Sequence, residues 1–349
     1  MRSRHWRPAV SIRLLFTAAC LSLILVSCRQ SPPPALPART PTLPAPETQI
    51  PTPFPAGAMT PTRGAPTSPS FTQISPTILP TATAENSARF AVIGDYGLAG
   101  TAEAQVAQLI TGWDPDLVIT TGDNNYPDGE AETIDANIGQ YYQQYIYPYQ
   151  GAYGPGADRN RFFPSLGNHD WNTLNAQPYL DYFTLPGNER YYEYTWGPVH
   201  FFAISSDSRE PDGVGLSSTQ AKWLQERLAA ATLPWKVVYF HQPPYSSGYH
   251  GSVDWMRWPF KEWGASLVLA GHDHTYERLE IDGLSYIVNG LGGGPIYPFG
   301  FPLSGSQVRY NDSHGALLIE ANSEQLQGVF VSIEGMNSDQ FELLMPVKP

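Results

Sequence analysis

Residues Arg89 to Tyr126 read RFAVIGDYGLAGTAEAQVAQLITGWDPDLVITTGDNNY, and this segment sets the class of fold. Two apolar runs in it, 89–93 and 116–121, predict buried strands, and each is followed at once by Gly-Asp. Between them, apolar residues recur at helical spacing over 101–111. In open α/β sheets, ligands bind at the carboxyl ends of the strands. The segment therefore predicts a strand–helix–strand unit with two carboxylates at one edge of a sheet.

The two Gly-Asp pairs belong to a series of five short blocks that follow predicted strands along the chain. The blocks are Gly94-Asp95-Tyr96-Gly97, Gly122-Asp123-Asn124-Asn125-Tyr126, Gly167-Asn168-His169-Asp170, Val238-Tyr239-Phe240-His241 and Gly271-His272-Asp273-His274. They contain seven candidate metal ligands, which are Asp95, Asp123, Tyr126, Asn168, His241, His272 and His274. Oxygen donors mixed with imidazole suit a pair of first-row transition metals better than zinc alone or calcium alone. The glycine before a ligand is expected to let the backbone turn tightly at the strand end.

The chemistry of these side chains favours two metal ions. Asp95 and Asp123 follow neighbouring predicted strands, so their carboxylates can converge, and one carboxylate can bridge two metals about 3.5–4 Å apart. His272 and His274 can reach different metals from one loop. The phenol of Tyr126 has an ordinary pKa of about 10, so it binds as a phenolate only to a strongly Lewis-acidic ion. Trivalent iron meets this requirement and magnesium does not.

The rest of the chain after residue 126 reads as further strands and one clear helix. The predicted strands are 162–166, 191–194, 199–204, 235–240 and 266–270, with more across 284–345. A capping pattern at 217–220 predicts a helix that extends to about Ala231. Residues 137–160 are rich in Tyr, Gln and Gly without clear periodicity and are predicted to be a surface excursion. The loop 290–294 is interpreted as a close-packed turn rather than a phosphate cradle, and His314 as structural.

The five blocks resemble the pattern GDxG, GDxxY, GNH(D/E), VxxH, GHxH of the purple acid phosphatases, a family of calcineurin-like metallophosphoesterases. The resemblance covers about residues 88–320. Within it, Asp123-Asn124-Asn125-Tyr126 resembles the small, single-domain, tartrate-resistant-like members of the family. It implies an α/β (α+β) fold of four layers, two mixed β-sheets flanked by helices, with a dimetal site at the strand C-terminal ends. It implies a ferric ion on Asp95, Tyr126 and His274, and a divalent iron, zinc or manganese on Asn168, His241 and His272. Asp123 would bridge the two ions.

The same resemblance implies that His169 and His250 face the substrate rather than a metal. His169 would protonate the leaving alkoxide or hold the phosphate, and His250 would be the second substrate histidine. Asp170 either orients His169 or caps a local turn, and the turn is favoured. The implied activity is acid phosphatase-like hydrolysis of small phosphate monoesters by attack of a metal-bound hydroxide.

Two other functions stay open. A phosphodiesterase or nucleotidase would use the same scaffold, since the difference lies in the shape of the pocket. Four aromatic residues near the blocks either stack a nucleobase or, as favoured here, pack as ordinary anchors; they are Trp171, Tyr245, Trp255 and Trp258. A non-catalytic surface lipoprotein is the alternative from another class. It is disfavoured because none of the pattern's ligands is missing.

The N-terminal part of the chain has the features of a bacterial lipoprotein. Within residues 1–27, the first 13 include four arginines and no acidic residue. An apolar run, Leu14–Val26, follows and is too short for a comfortable membrane span. Cys28 follows this region directly and is predicted to be acylated, with Cys20 the weaker candidate and an ordinary signal peptide the alternative. Residues 28–87 are predicted to be a Pro/Thr/Ser-rich disordered tether, with 15 prolines in 29–87. The protein is thus expected to be exported and anchored in a membrane.

Charge separates the tether from the predicted catalytic domain, 88–349. Residues 1–87 have 7 Lys and Arg against 2 Asp and Glu, a net charge of +5, whereas 88–349 have 13 against 30, a net charge of −17. A domain this acidic is a poor candidate for nonspecific nucleic-acid binding, and no protein partner is indicated. Because Cys20 and Cys28 are the only cysteines, the domain has no disulfide.

Overall fold

The protein is represented by a computed structural model that describes residues 86–345. The predicted signal peptide, the predicted acylation site Cys28 and almost all of the predicted tether lie outside the described residues. Within 86–345, no helix has both the length and the apolar character needed to span a bilayer.

The described residues form thirteen strands and several mostly short helices. The strands are β1 Ser87–Ile93, β2 Leu117–Thr120, β3 Phe162–Pro164, β4 Tyr192–Trp196, β5 Val199–Ala203, β6 Trp235–Tyr239, β7 Leu267–Ala270, β8 Tyr276–Ile281, β9 Leu284–Asn289, β10 Ser306–Tyr310, β11 Gly315–Asn322, β12 Gln325–Ser332 and β13 Asn337–Leu344. The α-helices are α1 Thr101–Trp113, α2 Ala131–Ile134, α3 Gln140–Tyr142, α4 Gln177–Tyr182 and α5 Thr219–Ala230. A π-helical turn spans Asp135–Gly139, and 3₁₀ turns span Gln143–Tyr145, Leu174–Ala176 and Asp254–Met256.

The strands form two mixed sheets. One sheet has six strands in the order β13-β12-β11-β1-β2-β3, and the other has seven in the order β10-β8-β9-β7-β6-β5-β4. β1, β2 and β3 run parallel in the first sheet, and β5, β6, β7 and β9 run parallel in the second. Antiparallel strands complete each sheet, for example β11 beside β1 and β4 beside β5. The predicted fold of two mixed sheets with helices is confirmed.

The period-two pattern of the strands explains why the two sheets pack together. In β5, Phe201 belongs to the larger core cluster, whereas its neighbour Phe202 belongs to a second cluster that contains residues of α5. Phe201 packs edge-on against Phe90 of β1, with ring centroids 5.0 Å apart. α5 begins where the capping pattern predicted, since the Ser218 side chain accepts a hydrogen bond from the Ala221 backbone N–H at 3.1 Å.

Two parts of the sequence prediction are incomplete or wrong. The surface excursion predicted for 137–160 begins inside a helical run over 131–145, and Asn137, Ile138 and Tyr142 in that run are buried. β8 was not predicted as a strand. Its Glu277 is buried and its Arg278 forms an ion pair with Asp339 of the other sheet, so charged residues obscure the alternation of the strand.

Candidate metal centre

The five loops that carry the sequence blocks meet where the carboxyl ends of parallel strands from both sheets lie together. Asp95 follows β1 and Asp123 follows β2, while His241 follows β6 and His272 follows β7. The two sheets are joined here directly. The backbone N–H of His272, after β7, donates to the carboxylate of Asp95, after β1, at 2.9 Å. Within the first sheet, the Asp95 N–H donates to the Gly122 carbonyl at 3.0 Å.

The sharp turns in these loops are made mainly by the candidate ligands themselves. Asp95, Asp123 and His272 have φ angles of 54°, 52° and 70°, in the left-handed region that non-glycine residues seldom adopt. Of the glycines before them, Gly122 alone has a positive φ, at 93°. The expectation that each preceding glycine makes the turn is therefore wrong. At Gly167 the requirement is space, because a Cβ there would lie 2.1 Å from the Asp123 backbone nitrogen.

One group of donor atoms surrounds the Tyr126 phenol. Tyr126 Oη lies 3.1 Å from Asp123 Oδ2, 3.1 Å from His274 Nε2 and 3.4 Å from Asp95 Oδ1. His274 Nε2 is also 3.4 Å from Asp95 Oδ1. All four side chains are buried. Asp95, Tyr126 and His274 are the residues for which the family resemblance implies a ferric site, and Asp123 is the carboxylate for which it implies a bridging role.

A second group surrounds His241 Nε2. This nitrogen lies 3.0 Å from Asn168 Oδ1, 3.1 Å from His272 Nδ1 and 3.2 Å from Asp123 Oδ2. Asp123 Oδ2 therefore belongs to both groups. Asp95, Asp123 and His241 each offer an atom within 4.8 Å of the others. The structure thus brings all seven sequence-predicted ligands into one cluster with a single shared carboxylate oxygen.

Hydrogen bonds outside the cluster fix which imidazole nitrogens face it. His241 Nδ1 donates to the Thr121 carbonyl at 2.9 Å, and His274 Nδ1 donates to the Pro295 carbonyl at 2.6 Å. Because a carbonyl oxygen only accepts, each Nδ1 carries a proton, and Nε2 is the nitrogen that faces the cluster. The oxygen and imidazole atoms that face the cluster are of the kinds that bind transition-metal cations.

The pKa values of the clustered side chains also indicate a place suited to a cation. Burial raises the pKa of Tyr126 well above its ordinary value, and the nearby Asp123 and Asp95 carboxylates raise it further. Burial disfavours the charged forms of Asp123 and His241. Their attraction nevertheless lowers the pKa of Asp123 and raises that of His241 to about 10. Burial and the neighbouring His241 lower the pKa of His272 to about 2. A cation would take the place of the His241 proton beside the Asp123 carboxylate.

The two predicted substrate histidines lie beside the cluster. His169 Nδ1 donates to the Pro127 carbonyl, and its Nε2 lies 3.9 Å from Asp123 Oδ2. The His169 side chain is 34% exposed. The His250 ring is stacked on the His272 ring, with centroids 4.4 Å apart and an interplanar angle of 28°. Both imidazoles are thus accessible and lie next to candidate ligands, His169 beside Asp123 and His250 beside His272.

Asp170 ties two of the loops together. Its carboxylate accepts hydrogen bonds from the Gly167 backbone N–H at 2.8 Å and from the Asn124 side chain at 2.8 Å. The favoured turn-capping role is confirmed, and the contact to Asn124 extends it to the loop that carries Asp123. The loop 290–294 is a close-packed turn as predicted, since Gly294 N–H donates to the Asp95 carbonyl at 2.8 Å. His314 Nε2 contacts the Gly294 carbonyl at 2.8 Å, in keeping with a structural role.

Sequence patterns gave no sign of two residues that hold the loops. Asn137 donates to the Tyr126 carbonyl at 2.9 Å and to Asn125 Oδ1 at 2.8 Å. Arg209 donates to the Asn168 carbonyl at 2.8 Å while its guanidinium pairs with Asp207. Neither residue lies in a block, and a single Asn or Arg carries no spacing signal.

The four aromatic residues singled out from the sequence serve mainly as packing anchors, as favoured. Trp171 and Trp258 are buried, the Tyr245 ring packs 5.0 Å from Tyr286, and Trp255 donates to the Ser206 carbonyl at 3.0 Å. Two different aromatic residues, Tyr297 and Tyr249, lie next to the cluster. Tyr297 is stacked on His274 at 4.2 Å, and Tyr249, 69% exposed, lies 5.3 Å from His250.

Comparison with known proteins gives consistent results. Residues 88–276 match the family described as Calcineurin-like phosphoesterase. The chain is 29% identical over 227 residues to purple acid phosphatase 23 of Arabidopsis thaliana, covering 55% of this chain and 47% of that protein. It is 23% identical over 306 residues to tartrate-resistant acid phosphatase type 5 of Rattus norvegicus, covering 75% of this chain and 91% of that protein. The chain thus spans about half the length of the plant relatives.

Solved structures show the same fold. Purple acid phosphatase PPD1 from yellow lupin seeds superimposes with a TM-score of 0.60 at 19% identity, over 74% of this chain and 54% of that one. GAP50, described as the anchor in the inner membrane complex of Plasmodium, superimposes with a TM-score of 0.60 at 19% identity, over 75% of this chain and 90% of that one.

Proposed function

This chain belongs to the calcineurin-like phosphoesterase family, and on that basis we propose that it is a metal-dependent hydrolase of phosphate monoesters. The observation that carries the proposal is the cluster of seven donor side chains that share Asp123 Oδ2. In this proposal Asp95, Tyr126 and His274 hold a ferric ion. Asn168, His241 and His272 hold a divalent iron, zinc or manganese. When bound, such cations lower the pKa of water and stabilise negative charge on phosphate oxygens.

The residues of the chain supply orientation and a proton. The Thr121 and Pro295 carbonyls hold the Nδ1 atoms of His241 and His274, so that Nε2 of each imidazole faces the cluster. His169 stands outside the donor set, partly exposed, with Nε2 close to Asp123. This position suits transfer of a proton to the leaving oxygen of an ester held at the cluster. His250, stacked on His272, is placed to contact the same ester.

Two other functions are weighed against this one. A phosphodiesterase or nucleotidase would use the same cluster, and the exposed ring of Tyr249 near His250 is the feature that favours a nucleotide. A non-catalytic role is suggested only by the fold that GAP50 shares. The complete donor set argues against that role, because the predicted ligands are all present and close together.

A panel of a monoester, a diester, a nucleotide and a phosphopeptide, run on purified protein with its metal content measured, tests the proposal. The monoester is expected to give the highest kcat/KM. A higher value for the diester or the nucleotide would replace the proposed substrate class. Bound metal with no turnover of any member of the panel would overturn the hydrolase itself.

The colour of the protein tests the ferric assignment. A phenolate on ferric iron absorbs visible light by charge transfer from the ligand to the metal. Tyr126→Phe is therefore expected to abolish the visible band of the iron-loaded protein while the far-UV circular dichroism stays unchanged. Tyr249→Phe, at the exposed ring nearby, is the matched control and should keep the band. Iron-loaded wild-type protein without visible absorption would favour a manganese or zinc pair.

The proposed location is the extracytoplasmic face of a membrane, with the protein attached through acylated Cys28. Support comes from the basic N-terminal region and the apolar run that ends at Val26. Since two or more acyl chains hold a protein firmly, wild-type protein is expected to resist a high-salt wash and to be released by detergent. Cys28→Ser should abolish this behaviour and Cys20→Ser should not. Release of wild-type protein by salt would instead indicate free secretion.

A further inference from the structure

The segment 246–251, which carries His250, has no helix or strand and is held by buried carboxylates. Asp273, between the candidate ligands His272 and His274, is fully buried. Its Oδ1 accepts a hydrogen bond from the His250 backbone N–H at 2.6 Å. Its Oδ2 accepts hydrogen bonds from Ser246 Oγ at 2.5 Å and from the Gly251 backbone N–H at 3.1 Å. One side chain therefore fixes both ends of the segment and the backbone of His250.

A second carboxylate holds the same segment from its other side. Glu277, also fully buried, accepts hydrogen bonds from the Ser247 backbone N–H and from Ser247 Oγ, each at 2.6 Å. Between these anchors the backbone lies directly against Asp273, since a Cβ at Gly248 would be 2.3 Å from Asp273 Cγ. The segment thus has little freedom to shift relative to the loop that carries His272 and His274.

The three donors around Asp273 explain why a carboxyl side chain suits this position. Ser246 Oγ, the His250 N–H and the Gly251 N–H all donate to it, so both of its oxygens serve as acceptors. An asparagine would place its own NH₂ group against at least one backbone N–H. Asn at 273 therefore disturbs the segment while nearly preserving the volume of the side chain.

We propose that Asp273 is a positioning residue that fixes the His250 imidazole over His272 and so sets the distance from His250 to an ester held at the metal cluster. The inference rests on the proposed function. Its geometric basis is that Asp273 lies between the candidate ligands His272 and His274 and also accepts the hydrogen bond from the backbone of His250, whose ring is stacked on His272. A group misplaced by about 1 Å can cost a reaction roughly 10²-fold.

A double-mutant cycle tests the inference on the metal-loaded, full-length protein. Asp273→Asn is expected to lower kcat roughly 10- to 100-fold with the metal content unchanged. In a His250→Ala background the same substitution should change kcat less than about two-fold, because the residue through which Asp273 acts is gone. Ser246→Ala, which removes one donor, should give a smaller loss that also disappears in the His250→Ala background.

A buried carboxylate elsewhere provides the control. Asp339→Asn breaks bonds to Tyr276 and Arg278 and is expected to affect kcat equally with and without His250. Additive effects of Asp273→Asn and His250→Ala, or loss of metal from Asp273→Asn, would overturn the inference. So would a crystal structure of Asp273→Asn, or of Ser246→Ala if the first does not fold, with the His250 ring still stacked on His272. Metal-loaded wild-type protein without turnover would overturn the proposed function and this inference together.

Discussion

Asp123→Asn is expected to reduce the turnover of a phosphate monoester by at least about 10³-fold and to lower the metal content below two ions per chain. The physical reason is that Asp123 Oδ2 contacts both donor groups, at 3.1 Å from Tyr126 Oη and 3.2 Å from His241 Nε2. The amide nitrogen of asparagine is a donor without an available lone pair, so it could not bind two cations in the position that Asp123 Oδ2 occupies. The measurements are metal content by mass spectrometry and steady-state hydrolysis.

Asparagine keeps the local backbone contact, which makes the test selective. The carbonyl oxygen of Asn can still accept the bond from the His169 backbone N–H that Asp123 Oδ1 accepts at 2.8 Å. Asp135→Asn is the matched control, because Asp135 lies in the helical run 131–145 and its carboxylate accepts hydrogen bonds from Tyr149 and Tyr182. It should leave the metal content and the rate unchanged. An Asp123→Asn protein with two metals and the wild-type rate would contradict the bridging role.

His169→Ala is expected to lower kcat roughly 10²- to 10⁴-fold and to leave both metals in place. His169 is not among the seven donors, and its Nε2 is 3.9 Å from Asp123 Oδ2 on a partly exposed side chain. A proton donor matters most when the leaving oxygen is strongly basic. The loss should therefore be smallest for nitrophenyl phosphate and largest for an alkyl phosphate.

The dependence on the leaving group distinguishes a proton donor from a structural histidine. His200, which pairs with Glu193 on β4, provides the comparison. His200→Ala should change the rates of all esters by the same small factor. An equal loss for every ester in His169→Ala, or loss of metal from that variant, would refute the proton-donor role.

Much of the site could be anticipated because its ligands stand at the ends of strands with strong apolar runs. The runs 89–93 and 116–121 predict β1 and β2, and the Gly-Asp pairs after them mark Asp95 and Asp123. The loops are expected to meet because parallel strands of a sheet have their carboxyl ends at the same edge. The convergence of the seven candidate ligands could therefore be predicted from the positions of the strands, before any contact between side chains was known.

The supporting residues could not be anticipated, because their partners are distant in the chain. Asn137 contacts Tyr126 from a helical run that includes a π-helical turn, and this turn disrupts the periodicity by which a helix is recognised. Arg209 reaches Asn168 across 41 positions. The contacts of Asp273 with the segment 246–251 likewise join residues more than 20 positions apart and appear only in the folded structure.

Anomalous X-ray diffraction from crystals of the metal-loaded protein tests the central claim most directly. The account predicts two anomalous peaks about 3.5–4 Å apart, both within ligand distance of Asp123. One peak should lie beside Asp95, Tyr126 and His274, and the other beside Asn168, His241 and His272. Data collected at the iron and zinc absorption edges would identify each ion. A single peak, or peaks that Asp123 does not join, would contradict a two-metal centre built on this carboxylate.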